Sequence, residues 1–559
     1  MSPGMAAVCG FMASILYGSI PERGKRIVKH GRNMRIWSVA LLVLLVGAFG
    51  AFGGEKVIQI AGFEPGTCDV QKTTSEYFVP INCFDRLVEC ITGENGYPEL
   101  VPGLAESWEV SEDGLVYTFH LRKGVKFHNG EEMTADDVIY TFDRMLDPET
   151  KALNTNNFDY VLGAQARMNG EAENTEGLKA LDDYTLQITL REPFAPFLAR
   201  LSDYASSVYN REFTEEVGQD FGLSAEAVCG TGPFKLTEYV LNDHLVLEAF
   251  DNYYQGRTKV DKVIAKIIPD AETMRMMFET GEIDIFDCDQ AISQLPYFLE
   301  SPKWKDHIHK GLRVGIYYVH LNQLKEPFTD VRVRKAFQMA VDRQKILDSM
   351  FHGDGILANG LMPKGLIGYN PDVPQIEYNP EKAKELLAEA GYPDGVEMAL
   401  VQVSGWSNKW VRMNEIIQAM AKKAGFNVEI KQMDEASYYS VRNKGEMDPY
   451  TQSWSFGVND PDSIFYMFFA DNDGGRHRSW NNQNKQSIED IKRARTIINP
   501  EERIALYRQI EKTLVHEDAA ILPLFSVDHL YVVNPRVKGF QVPWTGWSDM
   551  SYYGMDVEE

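Results

Sequence analysis

The side chains that could carry out catalysis or bind metal do not form a recognisable motif. His307 and His309 stand two positions apart in a charged stretch that reads as solvated surface. Asp471-Asn472-Asp473-Gly474 resembles the start of a calcium loop, but position twelve is Asn482 instead of glutamate, which favours a surface turn. No GxSxG, HExxH or glycine-rich phosphate loop occurs. The sequence therefore predicts no catalytic residues, no metal, no cofactor and no enzyme activity.

The six cysteines show no CxxC or Cys/His pattern, which argues against structural zinc. Cys83 and Cys90 are close enough in sequence to form a disulfide in an exported protein. Buried thiols that act as small apolar side chains are an equally good interpretation. Both alternatives stay open at this stage.

The composition indicates an acidic globular protein. The 559 residues carry 56 Lys+Arg against 81 Asp+Glu, a formal net charge of -25, and 44% of them are hydrophobic. The hydrophobic fraction is sufficient for a sizeable buried core, and the length predicts roughly three domains. The negative charge argues against a nucleic acid as partner, since phosphate contacts need a basic surface.

The N-terminal segment has the features of an export signal. An apolar run at 36–52 follows Arg32 and Arg35, and small residues follow it, with Ala51 and Gly53 as a plausible cleavage pair. Met34 is an alternative start that would make the signal compact. An uncleaved membrane anchor is the alternative, although the run is at the short limit for spanning a bilayer. We predict an exported protein on the periplasmic or extracellular face of the cytoplasmic membrane.

Apolar periodicity and turn residues predict strands that alternate with helices in both halves of the chain. The second half carries the longer helices. Strands are predicted at 57–61, 116–121, 181–190, 234–239, 244–249, 263–268, 283–286, 428–432 and 521–525, and helices begin at Thr134, Asp270, Asp330, Asn379, Asn414 and Glu502. This order indicates two α/β lobes, and proteins of this class commonly bind ligand between lobes.

Five sequence blocks, in order along the chain, resemble one family. They are 104–138, 230–234, 281–284, 327–343 and 379–392. The first contains Leu104-Ala105-Glu106-Ser107-Trp108, and the third is Gly281-Glu282-Ile283-Asp284. The chain resembles the dipeptide- and oligopeptide-binding proteins of ABC importers, solute-binding protein family 5.

The resemblance implies a bilobal, periplasmic-binding-protein-like α/β fold of class II in its large form, with an extra subdomain in the first lobe. The implied division is 1–53 as N-terminal extension and signal peptide, 54–84 with 231–317 and 526–559 as lobe I, 85–230 as the extra subdomain, and 318–525 as lobe II. The implied role is capture of a peptide by closure of the lobes. The implied partner is a membrane permease, with the binding protein a monomer.

The resemblance also implies where ligand binds, and here the chain departs from the dipeptide pattern. In that pattern an aspartate for the ligand amine follows a tryptophan by three positions, where this chain has Trp454 and Gly457. An arginine for the ligand carboxylate follows a Val-Gln pair, where this chain has Val403. Either Asp460 or Asp462 substitutes for the missing acid, or the ligand is not a simple peptide; an oligosaccharide, a glutathione-like solute and a metal chelate are the alternatives.

The predicted ligand contacts combine aromatic walls with nearby polar groups. Core packing is the alternative for each aromatic residue, and a turn or helix cap is the alternative for Asp460. The residues are Phe63, Glu64, Gly405, Trp406, Trp410, Trp454, Gly457, Asn459, Asp460 and Asp462. An exported hydrolase and a receptor or chaperone for unfolded chains are the other function classes that the sequence leaves open.

Overall fold

The structure is a computed structural model that describes residues 54–74, 77–470, 479–546 and 550–558. The predicted signal peptide and the calcium-like segment 471–474 lie outside the described residues. Among the described residues, no helix has both the length and the apolar character that crossing a bilayer requires.

The described strands are spread over the whole length of the chain. In chain order they are β1 (Val57–Gly62), β2 (Val88–Thr92), β3 (Pro98–Pro102), β4 (Ala105–Val110), β5 (Val116–Leu121), β6 (Leu178–Asp182), β7 (Thr185–Thr189), β8 (Phe234–Val240), β9 (His244–Ala249), β10 (Lys262–Ile267), β11 (Ile285–Asp287), β12 (Ile308–Gly311), β13 (Gly315–His320), β14 (Ile356–Leu357), β15 (Val396–Val403), β16 (Phe426–Met433), β17 (Thr451–Ser455), β18 (Ile521–Ser526), β19 (His529–Val533), β20 (Val537–Lys538) and β21 (Asp556–Val557).

The α-helices of the described residues are longest in the second half of the chain, as predicted. They are α1 (Phe78–Cys83), α2 (Ala135–Leu146), α3 (Ala164–Met168), α4 (Phe197–Leu201), α5 (Arg211–Val217), α6 (Ala271–Thr280), α7 (Leu295–Glu300), α8 (Val331–Ala340), α9 (Arg343–Phe351), α10 (Pro380–Glu389), α11 (Asn408–Lys423), α12 (Glu435–Asn443), α13 (Asp462–Phe469), α14 (Lys485–Thr496) and α15 (Pro500–Lys512).

Lobe I is the body around a seven-stranded mixed sheet with the strand order β12-β19-β11-β1-β10-β9-β8. At its centre β1 runs parallel to β10, with Val57 opposite Lys262 and Ile60 opposite Ala265. β1 buries Ile58 completely against the lobe I core. Buried and half-buried residues alternate along β1, because one face of this central strand packs on the lobe I core.

Lobe II is the body around the sheet β14-β18-β13-β17, beside the parallel pair β15-β16. Every residue of β13 and β18 is buried, because separate apolar clusters cover the two faces of this sheet. Neighbouring residues of β13 contribute to opposite clusters: Tyr318 packs in one and Tyr317 in the other. Continuous burial of this kind explains why β18 reads as an unbroken apolar run.

The small subdomain is the body around the antiparallel sheet β4-β5-β7-β6, and it has its own apolar core. Its longest helix, α2, begins at a capping box in which Thr134 and Asp137 each bond the other's backbone. Arg144, in the last turn of α2, binds Asp69 of lobe I with 2.7 Å between Nη2 and Oδ2. Subdomain and lobe I therefore share a buried ion pair.

Two short segments carry the chain between the lobes. Leu312 to Val314 connects β12 of lobe I to β13 of lobe II, and Val527 with Asp528 connects β18 to β19 in the return direction. Two short crossings are the connectivity expected of lobes that close by hinge motion.

Most of the element predictions are confirmed to within one or two residues at their ends, and three are wrong. The predicted strand 181–190 is a hairpin of β6 and β7, because the Asp182 carboxylate accepts the Tyr184 N–H in a tight turn. The predicted helix from Asp330 is split into α8 and α9, since Asp342 caps a second helix. Helix α11 begins six residues before Asn414, where Ser407 is its N-cap.

The described cysteines are all free, so Cys83 and Cys90 do not form a disulfide. Cys83 is fully buried and Cys90 half-buried, which agrees with the interpretation as small apolar side chains. Among the described residues, no group of three His, Cys, Asp or Glu side chains is placed to hold a metal ion.

Asp85 is buried where the small subdomain joins lobe I. The Thr231 hydroxyl donates to its Oδ2 at 2.9 Å and the Tyr253 hydroxyl to its Oδ1 at 3.1 Å. Gly230 lies alongside, and a Cβ there would stand 2.0 Å from the carbonyl oxygen of Cys83, which explains the glycine. Burial, and then the charge of Glu89, raises the pKa of Asp85 to about 7.

Replacing Asp85 with asparagine is expected to change the pH dependence of stability. The folded state raises the pKa of Asp85, so its contribution to stability is present below about pH 4 and is lost as the pH rises through about 7. Between pH 5 and 6.5 the free energy of unfolding of the wild type should therefore fall by about 2 kcal/mol relative to that of Asp85→Asn. Urea unfolding of both proteins at the two pH values measures this difference; a constant difference would contradict the prediction.

Candidate functional site

Lobe I has an aromatic hollow at the carboxyl ends of β1 and β11. Phe63 lies at its edge with 50% of its surface exposed, and Tyr531 and Tyr552 line its interior. Asp287 and Gln290 are among its polar lining groups. An exposed aromatic ring beside buried ones offers contact area to a ligand. Phe63, a predicted contact, is thus placed where a ligand could reach it.

Glu64 lies next to Phe63 and is bound to the protein. Its Oε1 accepts the Tyr239 hydroxyl at 2.5 Å and its Oε2 accepts the Asn242 N–H at 2.7 Å. These contacts fix the turn after β1. The structure therefore gives Glu64 a role in positioning Phe63, while its contact with ligand stays a proposal.

Trp406 is a predicted aromatic residue of lobe II that is half-exposed to solvent. It follows Gly405, whose φ of +87° is the left-handed conformation that glycine adopts without strain. The Trp406 ring stands edge-on to Tyr438 with 5.0 Å between centroids, and its Nε1 donates to Oε1 of Glu435 at 3.3 Å. One edge of the ring is held and the rest is half-exposed.

Trp410 belongs to the lobe II core. It is 9% exposed, lies in the first turn of α11, and packs against Tyr317 with 5.6 Å between ring centroids. Core packing, the alternative weighed for each aromatic residue, is the environment that the structure gives it.

Trp454 and Gly457 flank the end of β17. Trp454 pairs with Ile316 of β13, and its ring stands edge-on to Phe468 at 4.9 Å. Both Trp454 and Gly457 are half-buried. Trp454 lies on the face of the lobe II sheet opposite to Trp410, because its neighbours belong to the other apolar cluster.

The loop 456–461 between β17 and α13 is held by Asn459 and Asp460. The Asn459 Oδ1 accepts the N–H of Ile367 at 3.0 Å. Asp460 is 3% exposed and forms a bidentate ion pair with Arg503, at 2.6 and 2.7 Å. An arginine that donates twice to one carboxylate satisfies most of its acceptor capacity. Asp460 therefore has a protein cation where a ligand amine was expected.

Asp462 also has arginine partners. Its Oδ2 accepts from Nη2 of Arg200 at 3.0 Å, and its Oδ1 lies 2.9 Å from Nε of Arg495. Burial opposes ionisation, but the charges of these arginines outweigh it and lower the pKa of Asp462. Neither acid suggested as a substitute for the missing aspartate is thus available without displacing an arginine.

Charged groups also line the junction of the two lobes. Asp289 of lobe I pairs with Arg313 in the first crossing segment, and Nδ1 of His529 lies 3.8 Å away from Asp289 at the second. Burial works against ionisation of Asp289, yet the charges of Arg313, Lys409 and His529 lower its pKa. One lobe I carboxylate therefore contacts the first crossing segment and the first residue of β19, which directly follows the second crossing segment.

Lys409 brings a cation to this junction from lobe II. It lies in the first turn of α11, and its Nζ is 3.4 Å from the Tyr317 hydroxyl and over the rings of Tyr317 and Trp410. The sequence reasoning missed Lys409, although its position six residues after the anchor position Val403 was a usable signal.

Three arginines were also missed: Arg200, Arg495 and Arg503. Each of them binds a predicted acid that belongs to another element of the chain. Arg200 precedes its partner Asp462 by 262 residues. No local sequence pattern predicts these pairs.

The family comparison agrees with this architecture. The model of "Bacterial extracellular solute-binding proteins, family 5 Middle" matches residues 99–476. Heme-binding protein A of Haemophilus influenzae is 33% identical over 489 residues, covering 85% of this chain and 87% of the relative. The dipeptide-binding protein of Escherichia coli K12 is 32% identical over 505 residues, covering 86% of this chain and 90% of the relative.

A solved structure agrees as well. The ABC transporter-associated periplasmic binding protein DppA from Helicobacter pylori, in complex with the peptide STSA, has a TM-score of 0.76 and 25% identity. The alignment covers 92% of this chain and all of that one. The predicted bilobal α/β fold is thereby confirmed. With a family model over two thirds of its length and relatives above 30% identity, the chain belongs to family 5 of the bacterial extracellular solute-binding proteins.

Proposed function

We propose that this protein is the extracytoplasmic substrate-binding component of an ABC-type importer for peptides. It captures a peptide between lobe I and lobe II and delivers it, chemically intact, to a membrane permease. It acts as a monomer on the periplasmic or outer face of the cytoplasmic membrane. The division into lobe I, extra subdomain and lobe II belongs to the same proposal, with the first crossing between lobes at 312–314 instead of the predicted 317/318, because β13 pairs within the lobe II sheet.

The observation that carries the proposal is the pairing of two lobes through short crossing segments with half-exposed aromatic rings on each lobe. The proposal is supported by Phe63, which follows β1, and by the half-exposed rings of Trp406 and Trp454 beside the lobe II sheet. Relatives named as dipeptide-binding proteins, and a solved relative holding the peptide STSA, support peptides as the solute.

The ends of the peptide are held in a different way from the dipeptide pattern. Gly457 and Val403 offer no charged side chain, and the carboxylates of Asp460 and Asp462 are paired with arginines. A buried ammonium without a carboxylate is costly. We infer that the α-amine of the ligand is not enclosed in this loop, and that the peptide is held through its backbone and its side chains.

A second candidate is a non-peptide solute captured in the same way. The missing charged positions at Gly457 and Val403 favour it, and one relative is named for heme instead of for peptides. Mass spectrometry of the small molecules released from protein purified from its native host separates the two candidates. The same spectra test the carrier role, since a hydrolase would release cleaved products.

Acetylation of the ligand amine is expected to have little effect on binding. The tetrapeptide Ser-Thr-Ser-Ala and its N-acetyl form should bind with dissociation constants within about threefold of each other, because loop 456–461 has no free carboxylate to lose. Isothermal titration calorimetry measures both affinities. A loss of more than about tenfold on acetylation would contradict the inference and identify a charged amine site.

The variant Gly457→Asp provides the matched control. A carboxylate at this half-buried position should introduce a preference of about tenfold for the free amine over the acetylated peptide, the size of a charge-assisted hydrogen bond. Gly66→Ala, where a Cβ meets nothing within 4 Å, should leave both affinities unchanged.

A further inference from the structure

A buried ion cluster joins the small subdomain to lobe II. Arg200 belongs to α4 of the subdomain, whereas Asp462 begins α13 and Arg495 lies in α14 of lobe II. Arg200 is 5% exposed, Asp462 0% and Arg495 1%. None of the three belongs to the crossing segments, so this contact links the two bodies independently of their covalent connection.

Aromatic rings from both sides enclose Arg495. Its guanidinium lies 3.5 Å from the ring centroid of Tyr466 in lobe II, and 4.7 and 4.8 Å from those of Tyr160 and Phe194 in the subdomain. The Tyr160 hydroxyl accepts from Nη1 at 3.1 Å. The N–H of Ala195 donates to the carbonyl oxygen of Arg495 at 2.8 Å. The interface is therefore packed and hydrogen-bonded around the charges.

The cluster is also hydrogen-bonded to the end of loop 456–461. The N–H of Asp462 donates to Oδ1 of Asp460 at 2.8 Å, so the residue bound by Arg200 is the one that closes the loop. Arg200 of the subdomain thus binds the residue that directly follows the predicted ligand loop, which it can do only when the subdomain and lobe II are together.

We propose that Arg200, Asp462 and Arg495 form an interlobe latch, in which Arg200 is a positioning residue for solute capture. The latch stabilises the closed arrangement and holds loop 456–461 in its binding geometry. This proposal rests on the proposed function, because closure serves to enclose a solute.

The charge arrangement suits a contact that breaks and re-forms. Asp462 and Arg495 both belong to lobe II, so the carboxylate keeps a partner when the subdomain moves away. Arg200 then gains water in place of Asp462. A buried carboxylate left without any cation would be strongly destabilising, and this arrangement avoids that state.

The test uses Arg200→Met in the full chain without ligand. Asp462 keeps Arg495, so the variant should fold. We expect hydrogen exchange to become about fivefold faster in 456–461 and 194–200, and the radius of gyration from X-ray scattering to rise, because the closed population falls. Arg200→Lys, which retains the charge, should recover part of both changes.

The matched control is Arg167→Met. Arg167 forms ion pairs of the same kind with Asp143 and Asp147, at 2.9 and 2.8 Å, entirely within the subdomain. Its loss should leave exchange in 456–461 and the radius of gyration unchanged. Unchanged exchange and size in Arg200→Met, or equal changes in both variants, would overturn the latch.

Binding of Ser-Thr-Ser-Ala is measured separately. If the wild type binds it, Arg200→Met should bind about five- to tenfold more weakly, since apparent affinity falls with the closed population; an unchanged affinity would overturn the latch. If the wild type does not bind this peptide, the peptide assignment is wrong. Hydrogen exchange and X-ray scattering of the ligand-free proteins then still test the latch.

Discussion

Replacing Asp460 with alanine is expected to lower the free energy of unfolding by about 3–5 kcal/mol, the cost of removing one partner from a buried ion pair. Arg503 is 7% exposed and would be left without the carboxylate that it binds through two nitrogens. The same change removes the acceptor for the N–H of Asp462. Urea unfolding followed by circular dichroism measures the loss.

The double variant Asp460→Ala/Arg503→Met separates this explanation from a role in ligand binding. Removing both charges should recover at least half of the lost stability, because no uncompensated charge remains. Asp306→Ala, at an exposed position, should stay within about 0.5 kcal/mol of the wild type. A stable Asp460→Ala protein that loses only its solute would show that Asp460 is a ligand anchor instead.

Replacing Trp410 with alanine is expected to cost about 3–4 kcal/mol of unfolding free energy, as is usual when a large aromatic side chain is removed from a core. Its ring fills the space between α11 and Tyr317, where little surface is open to solvent. Urea unfolding measures the change. Solute affinity at temperatures well below unfolding should be nearly unaffected.

Trp406→Ala is the matched comparison, since it removes the same side chain four positions earlier. Loss of this half-exposed ring should lower the free energy of unfolding by about 1 kcal/mol or less, while the affinity for Ser-Thr-Ser-Ala should fall about tenfold. If Trp406→Ala destabilises the protein as much as Trp410→Ala and leaves affinity unchanged, the assignment of Trp406 to the ligand wall is wrong.

The local elements could be predicted because their signals are short-range. The strand β5 was predicted at its observed bounds from alternation alone, and α2 from Thr134 and Asp137. Two of the three errors occurred where one polar residue interrupts a continuous pattern. Asp182 turns one predicted strand into a hairpin, and Asp342 divides one predicted helix into two. In both cases a carboxylate bonding a nearby N–H outweighs the apolar periodicity.

The sequence by itself determined the family, the two-lobed class of fold and the absence of both charged residues of the dipeptide pattern at Val403 and Gly457. These properties depend on which residues stand in which order. The tertiary structure alone decided the partners of the acids: Asp460 binds Arg503, and Asp462 binds Arg200 and Arg495. The free energy of a buried charge depends on which groups surround it in space, and chain folding brings those groups from other elements, in the case of Arg200 from 262 residues away.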